Sequence, residues 1–360
     1  MVPASVAEKA AELNPLTPPA PVVPTLEGVP QITNQNINEH REQVLKGARK
    51  YIYPLSHSKR TIVAITITVI VTALIALLVY CTLAFYRYYQ YNTFVYRVSQ
   101  VIPFPIAKAG GKYVDYENYL FELRHFVHYY ESQQKRNFSG AAYEELVVFR
   151  KQALEKVIRD AYVKELAAKH KVSVSDKEVN LRLAEVRNQN RLGGNDKVFA
   201  DVLRDYWGWS INDFKRSLKQ EILAQKVAAK LDNEGTLRAT GVLARAKAGE
   251  DFATLAKQTS DDPAAKDNGG DFGFAITKTN PNVPPEVVDA VFDLKAGQVS
   301  DLVLASPVLS GQGPSYQIIK VTAVTGEAVN AQRIIIKLKD VSEHVKALQK
   351  QKPAHAYVRF

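Results

Sequence analysis

The chain has 360 residues, enough for about two globular domains with tails, and its 46% hydrophobic and 23% charged residues are ordinary for a folded protein. A net charge of +10 is scattered without a long basic block, which argues against a nucleic-acid partner, and the local excess before residue 61 suits an anionic membrane surface. The single cysteine, Cys81, excludes an intrachain disulfide scaffold and leaves the redox compartment open.

Residues Met1 to about Ser58 read as a disordered tail. Pro15, Pro18, Pro19, Pro21, Pro24 and Pro30 would each block a helix or a central strand. The stretch is either a solvated linker or a polyproline ligand for a partner domain. The 25 residues Thr61–Phe85 carry no charge and as a helix would rise about 37 Å, enough to cross a hydrocarbon core of roughly 30 Å. A cleaved signal peptide fits less well, because the apolar stretch is too long, begins some sixty residues in and has no clear small-residue cleavage site after it. A buried helix of a soluble protein is the other reading. Tyr80, Phe85, Tyr86, Tyr88, Tyr89 and Tyr91 form an aromatic exit of the kind that settles at a membrane interface. Lys46, Arg49, Lys50, Lys59 and Arg60 precede the span while Arg87 and Arg97 follow it, so the positive-inside bias places the N-terminus in the cytoplasm.

From Val101 the pattern becomes globular. An extended lead-in, a Gly110-Gly111 turn, a short strand and a helix from near Asp115 are expected, then a long helix from roughly Ala142 to His170 with Leu146, Phe149, Ala153, Val157 and Ala161 on one stripe. Ser175-Asp176-Lys177-Glu178 is a capping box that starts another helix, and Gly193-Gly194 breaks it. Ser210 caps a further helix with Phe214, Leu218, Ile222 and Val227 at helical spacing. Together, VIPFPIAKAGGKYVDYENY, SVSDKEVNLRLAEV and YWGWSINDFKRSLKQEILAQKV resemble the N-terminal chaperone domain of SurA/PrsA-type folding factors. That resemblance implies a helical cradle for extended, unfolded clients. Tyr206, Trp207 and Trp209 cluster beside a turn and either line an apolar groove or pack the core.

Thr236–Lys247 reads as a helix ending at Gly249, and Asp251 can cap the next one. Asn268-Gly269-Gly270 permits a tight turn, Pro284 and Pro285 open a helix, and Tyr316–Val324 is an apolar strand. The spaced set GEDFATLAKQTSDDP, GGDFGF, PPEVVDAVF, AGQVSD and YQIIKV resembles the parvulin-type peptidyl-prolyl isomerase domain over about Thr236–Val324. The resemblance implies catalysed rotation about X-Pro bonds without nucleophile, metal or cofactor. It also implies a catalytic set of Asp262, Gln317 and Arg333 and a proline-binding set of Phe272, Phe274, Val283, Val287 and Phe292. Val283, Val287 and Gln317 stand where the family carries methionine, an aromatic and histidine, and Arg333 stands at its first histidine position. The strand that normally opens such a domain is missing before Thr236. AQRIIIKLKDVSEHVKALQK at Ala331–Lys350 looks like that strand with its following helix, as in a circular permutation; a truncated second repeat is the competing account. AYVRF at the C-terminus could add a further edge strand.

Glu122, His125 and His128 share a helix face at a metal-like spacing, but no partner set accompanies them and a solvated polar face is favoured. The expected organisation is α+β: a disordered cytoplasmic tail over 1–58, a transmembrane helix over 59–88, an all-α chaperone domain over 101–234 and a parvulin-like α/β domain over 235–360. The functional expectation is a membrane-anchored, extracytoplasmic folding factor whose partners are unfolded exported proteins and the membrane. A non-catalytic holdase with a degenerate isomerase domain is the alternative. A structural envelope protein would explain the span but not the parvulin pattern.

Overall fold

The computed structural model describes residues 33–52, 58–189, 195–280, 282–305 and 313–360. The proline-rich stretch and Gly193-Gly194 lie outside them. Helix α1 (Asn34–Ile52) falls inside the segment expected to lack structure. No proline interrupts the chain there, and the Thr33 hydroxyl accepts from the Asn36 amide to start it. Helix α2 (Ser58–Tyr86) is the one described helix long and apolar enough to cross a membrane. The chain divides after Leu77, and Leu78–Phe360 forms one compact unit.

That unit opens with the last turns of α2 and a short helix α3 (Thr93–Val101), whose N-cap Asn92 accepts from Val95. Strands β1 (Pro105–Ala109) and β2 (Lys112–Asp115) form the expected hairpin about Gly110-Gly111. Helices α4 (Tyr116–Gln133), α5 (Tyr143–Lys169), α6 (Asp176–Gln189), α7 (Asp196–Val202) and α8 (Ile211–Leu231) follow. The Ser175–Glu178 capping box closes as the sequence indicates, and the Ser210 cap gains a reciprocal bond from Asp213 that completes a second box. A π-helical turn, Leu203–Trp207, extends α7 without a distinguishing pattern in the sequence.

The second half begins with α9 (Asn233–Lys247), α10 (Phe252–Thr259), α11 (Pro263–Asp267) and α12 (Pro285–Phe292). Strands β3 (Val303–Ala305), β4 (Ser315–Thr325) and β5 (Ala328–Lys337) make an antiparallel sheet in the order β3-β4-β5, and α13 (Ser342–Gln351) leads to β6 (His355–Ala356). Single bridges Asp271↔Gln332 and Ile276↔Val329 lay the turn segment along the free edge of β5.

Strand β5 pairs with β4 in the register Ile318↔Ile334, so the C-terminal AQRIIIK segment belongs to the same sheet as β4 and is not a separately folded repeat. Its far end also sits where a strand preceding α9 would end. The Asp232 carboxylate accepts from Gly235 at the start of α9 (2.9 Å) and from Lys339 just beyond β5 (2.8 Å). A Cβ on Gly235 would lie 2.5 Å from Asp232 Oδ2 and 2.6 Å from Leu338 Cδ2, so a larger residue there would push both side chains aside.

The all-helical expectation for 101–234 needs amendment. A sheet in the order β2-β1-β6 sits in that domain, and its third strand arrives from the C-terminus (Ala107↔Ala356). The terminal edge strand exists, but it joins the helical domain and not the β3-β4-β5 sheet. Phe360 stacks on Tyr119 at 5.7 Å, which adds aromatic packing to the short strand's few hydrogen bonds.

Candidate active site

Alternation along β4 and β5 sorts their side chains onto two faces. Ile318, Ile334 and Ile336 pack with Phe252 and Leu255 of α10 and Val242 of α9. Ile319, Val321 and Ala331 pack on the other side with Val287, Val288 and Val291 of α12. Gln317 and Arg333 share this second face, since Gln317 is opposite Ile335 and Ile319 is opposite Arg333.

Arg333 is held from several directions. Its amide donates to the Gly270 carbonyl at 2.7 Å. Gly270 has φ of +87°, and a Cβ there would stand 2.6 Å from the Arg333 carbonyl oxygen, so the GGDFGF turn needs glycine to lie against β5. The Arg333 guanidinium lies over the Phe272 ring, 4.7 Å from its centroid, and Nη2 donates to Asp262 Oδ2 at 3.2 Å. Burial pulls the guanidinium's pKa down while the Asp262 carboxylate opposes that shift. Phe274 meets Phe272 edge-on at 6.0 Å.

The loop carrying Asp262 is fastened to β5 through Ser260. The Ser260 hydroxyl accepts from the amides of Ile335 (3.2 Å) and Asp262 (3.3 Å), and the Asp261 amide donates to the Ile335 carbonyl at 2.7 Å. Ser260 is fully buried, which the motif SDDP does not announce.

The remaining site residues divide. Val283 and Val287 are 2% and 0% exposed and pack in one cluster with Phe272, so protein fills the sheet's face at both positions. Gln317 is 4% exposed, and its Oε1 has no hydrogen-bond partner among the described residues. Phe292 is half-buried at the margin of the same cluster, with Lys278 Nζ 5.5 Å from its centroid. The structure thus brings Asp262, Phe272, Phe274 and Arg333 together, sets Gln317 on the same face, and buries Val283 and Val287 in the cluster beside Phe272.

The helical domain presents a different surface. His125 lies between two indoles, 3.9 Å from Trp209 and 4.8 Å from Trp207, and Trp207 stacks on Tyr129 at 5.3 Å. Trp209 also stacks on Phe121 at 5.3 Å. Tyr206 and Trp207 remain 46% and 36% exposed, so this cluster is a partly open surface and not interior packing. Burial drives the His125 pKa down to about 4. Its former companions have other partners: Glu122 pairs with Lys156 at 2.7 Å, and His128 Nε2 meets the Asp205 carbonyl at 3.1 Å. The two halves are tied by Arg182 of α6, buried, which reaches Glu286 of α12 at 2.9 Å and also pairs with Glu185.

Comparison with known proteins agrees with this division. A family model described as a SurA-like N-terminal domain matches residues 56–228, and one described as a PPIC-type PPIase domain matches residues 222–323. The second match stops before β5. The foldase protein PrsA of Streptococcus gordonii is 44% identical over 34% of this chain and 37% of its own length. PrsA of a Geobacillus strain is 33% identical over 47% of this chain and 63% of its own. The chain therefore spans between about a third and two thirds of these curated relatives. A crystal structure of PrsA from Streptococcus pneumoniae matches 61% of this chain and 85% of that one at 21% identity, with a TM-score of 0.19. In order along the chain, a segment similar to a SurA-like N-terminal domain is thus followed by one similar to a PPIC-type PPIase domain.

Proposed function

We propose that the chain is a membrane-anchored folding factor of the extracytoplasmic side, which holds extended segments of exported proteins on its helical domain and catalyses rotation about their X-Pro bonds on the Arg333 face. The observation that carries the catalytic part is the Asp262–Arg333 pair over Phe272, assembled from positions 71 residues apart. Helix α2 supplies the anchor, and the five basic residues from Lys46 to Arg60 that precede the span, against Arg87 and Arg97 after it, favour a cytoplasmic N-terminus.

The chemistry asked of the site is modest. Rotation about an X-Pro bond meets a barrier of about 18–20 kcal/mol because the planar imide loses its conjugation when twisted. The twisted imide nitrogen recovers a lone pair that can accept a hydrogen bond, and Arg333 is a permanent donor fixed by Asp262 and Phe272. A charge-assisted hydrogen bond formed only in that state is worth roughly 1.5–3 kcal/mol, or on the order of ten- to a hundredfold in rate. Asp262 fixes the fork of the guanidinium, and Phe272 gives the proline ring an apolar contact.

A second reading, a holdase that binds peptide without turnover, draws on the burial of Val283, Val287 and Gln317. Prolyl-isomerase turnover and suppression of client aggregation, both measured on the full chain in nanodiscs, separate the two. The full chain is needed because Cys81, Ala84, Phe85 and Val95 are buried within the compact unit, and a fragment beginning at Val101 would remove them. Turnover at the uncatalysed rate with aggregation still suppressed would leave only the holdase.

A further inference from the structure

The end of α2 is not a free stalk. Cys81, Ala84 and Phe85 are 0–1% exposed, although residues 59–80 before them are exposed apart from the half-buried Leu77. The Phe85 ring packs on Phe104 at 4.7 Å and on Tyr116 at 4.5 Å. The Tyr116 hydroxyl donates to the Phe85 carbonyl at 2.7 Å, and the Tyr86 hydroxyl donates to the Pro105 carbonyl at 2.6 Å. The segment that follows is fixed as well, with Arg150 donating to the Tyr89 carbonyl at 3.1 Å and Arg124 to the Tyr91 carbonyl at 2.6 Å. The last turn of the apolar helix is therefore core of the folded body.

This changes how the uncharged run is divided. Residues from Cys81 onward belong to the body, which leaves the 20 residues from Thr61 to Tyr80 to cross the hydrocarbon. Twenty helical residues rise about 30 Å, which matches the hydrocarbon thickness without tilt. Tyr80 then marks the outer edge of the apolar layer, and the body begins at that edge. Helix α3 touches this level directly, because the Phe94 ring lies 6.1 Å from the Tyr80 ring. Phe94, Val98 and Val101 recur at helical spacing on one stripe of α3, while Val95 and Ser99 face the interior. Phe94 is 54% and Val101 82% exposed, and the cations Arg87 and Arg97 and the ring of Tyr88 are exposed beside them.

Resting on the membrane-anchor reading above, we propose that the body sits directly on the outer leaflet through α3. Phe94 and Val101 enter the interfacial layer, and Arg87 and Arg97 meet lipid phosphates. Aromatic and basic side chains flanking an apolar stripe are the composition of an interfacial helix. The body's height and orientation are then set by the membrane, and its client-binding surfaces are held at a constant distance from it.

The test is depth measurement on the full chain in nanodiscs of phosphatidylcholine and phosphatidylglycerol. Nitroxide is attached to Val101→Cys and, separately, to Phe94→Cys, with Leu237→Cys on α9, 74% exposed, as the solvent reference. The unsubstituted chain, whose Cys81 is buried, gives the background labelling. Both α3 labels are expected to shift to oxygen-dominated collisions, while Leu237→Cys stays accessible to a polar nickel complex. Nickel accessibility at both α3 positions equal to that at Leu237, in a chain that has entered the nanodisc, overturns the proposal and leaves the anchor intact. Dipolar broadening between α3 labels would assign the stripe to a second copy of the chain and overturn it too. A chain that does not enter nanodiscs removes the anchor reading itself, and this proposal with it.

Discussion

The rotamase face and the aromatic face of the helical domain are built on opposite plans. On the rotamase sheet, polar groups from distant positions are pressed against a filled apolar floor: Arg333 lies over Phe272, Asp262 is fixed through the Ser260 loop, and Val283 and Val287 are interior. In the helical domain the large side chains stack on one another and leave Tyr206 and Trp207 partly bare. A donor that must meet a twisted imide gains from rigidity, because preorganisation removes the cost of ordering it during the reaction. A surface that accepts many extended chains gains from adaptable apolar area instead. Removing floor contacts should therefore damage the first site through the fold, whereas trimming an aromatic should damage the second through binding.

The largest effect is expected from Ile334→Ala. Ile334 is fully buried in the middle of β5, opposite Ile318 of the central strand β4, and losing it should cost about 2–5 kcal/mol and abolish turnover before it affects aggregation suppression. Chemical denaturation followed by both assays checks the order of loss. Next is the acid sensitivity of the aromatic face. With its pKa lowered to about 4, His125 stays neutral in the folded chain, while the unfolded chain protonates near the ordinary value of roughly 6.5. The unfolded state then binds the extra proton, so stability is complete above about pH 6.5 and falls on acidification towards about pH 4, by on the order of 2 kcal/mol. His125→Phe should flatten that part of the stability-versus-pH curve. Asp232→Ala, which removes the clamp between α9 and the end of β5, should lower stability by about 1–2 kcal/mol. Thermal unfolding reads it. Trp207→Ala should barely move the unfolding midpoint, by less than about 1 kcal/mol, yet weaken suppression of client aggregation. Equal suppression by Trp207→Ala and the parent chain would remove the aromatic surface from the account.

Local signals were readable before the structure was. Asn, Ser and Asp at helix starts act through one or two backbone amides nearby, so Ser175, Ser210 and Asp251 cap where their sequence context says they should. The apolar runs of β4 and β5 likewise carry their own partnership, and Ile318 meets Ile334. What stayed hidden depends on distant contacts. The HAYVRF terminus is too short to name its partner, and only the folded chain brings Ala356 to Ala107. The exposure of Val283 and Val287 is decided by α12 and the sheet together, and Ser260 matters because β5 passes it. In the tail, Asn34–Ile52 has no proline, but the proline density before it dominated the reading of the whole segment.

The pairing of Asp262 with Arg333 is where the account is most exposed. Prolyl-isomerase turnover should be compared between the full chain and Asp262→Ala in nanodiscs, with aggregation suppression followed in parallel. Measurable turnover in the parent chain, reduced on the order of ten- to a hundredfold in the variant while suppression is unchanged, is the expected result. Turnover indistinguishable between the two chains would contradict it.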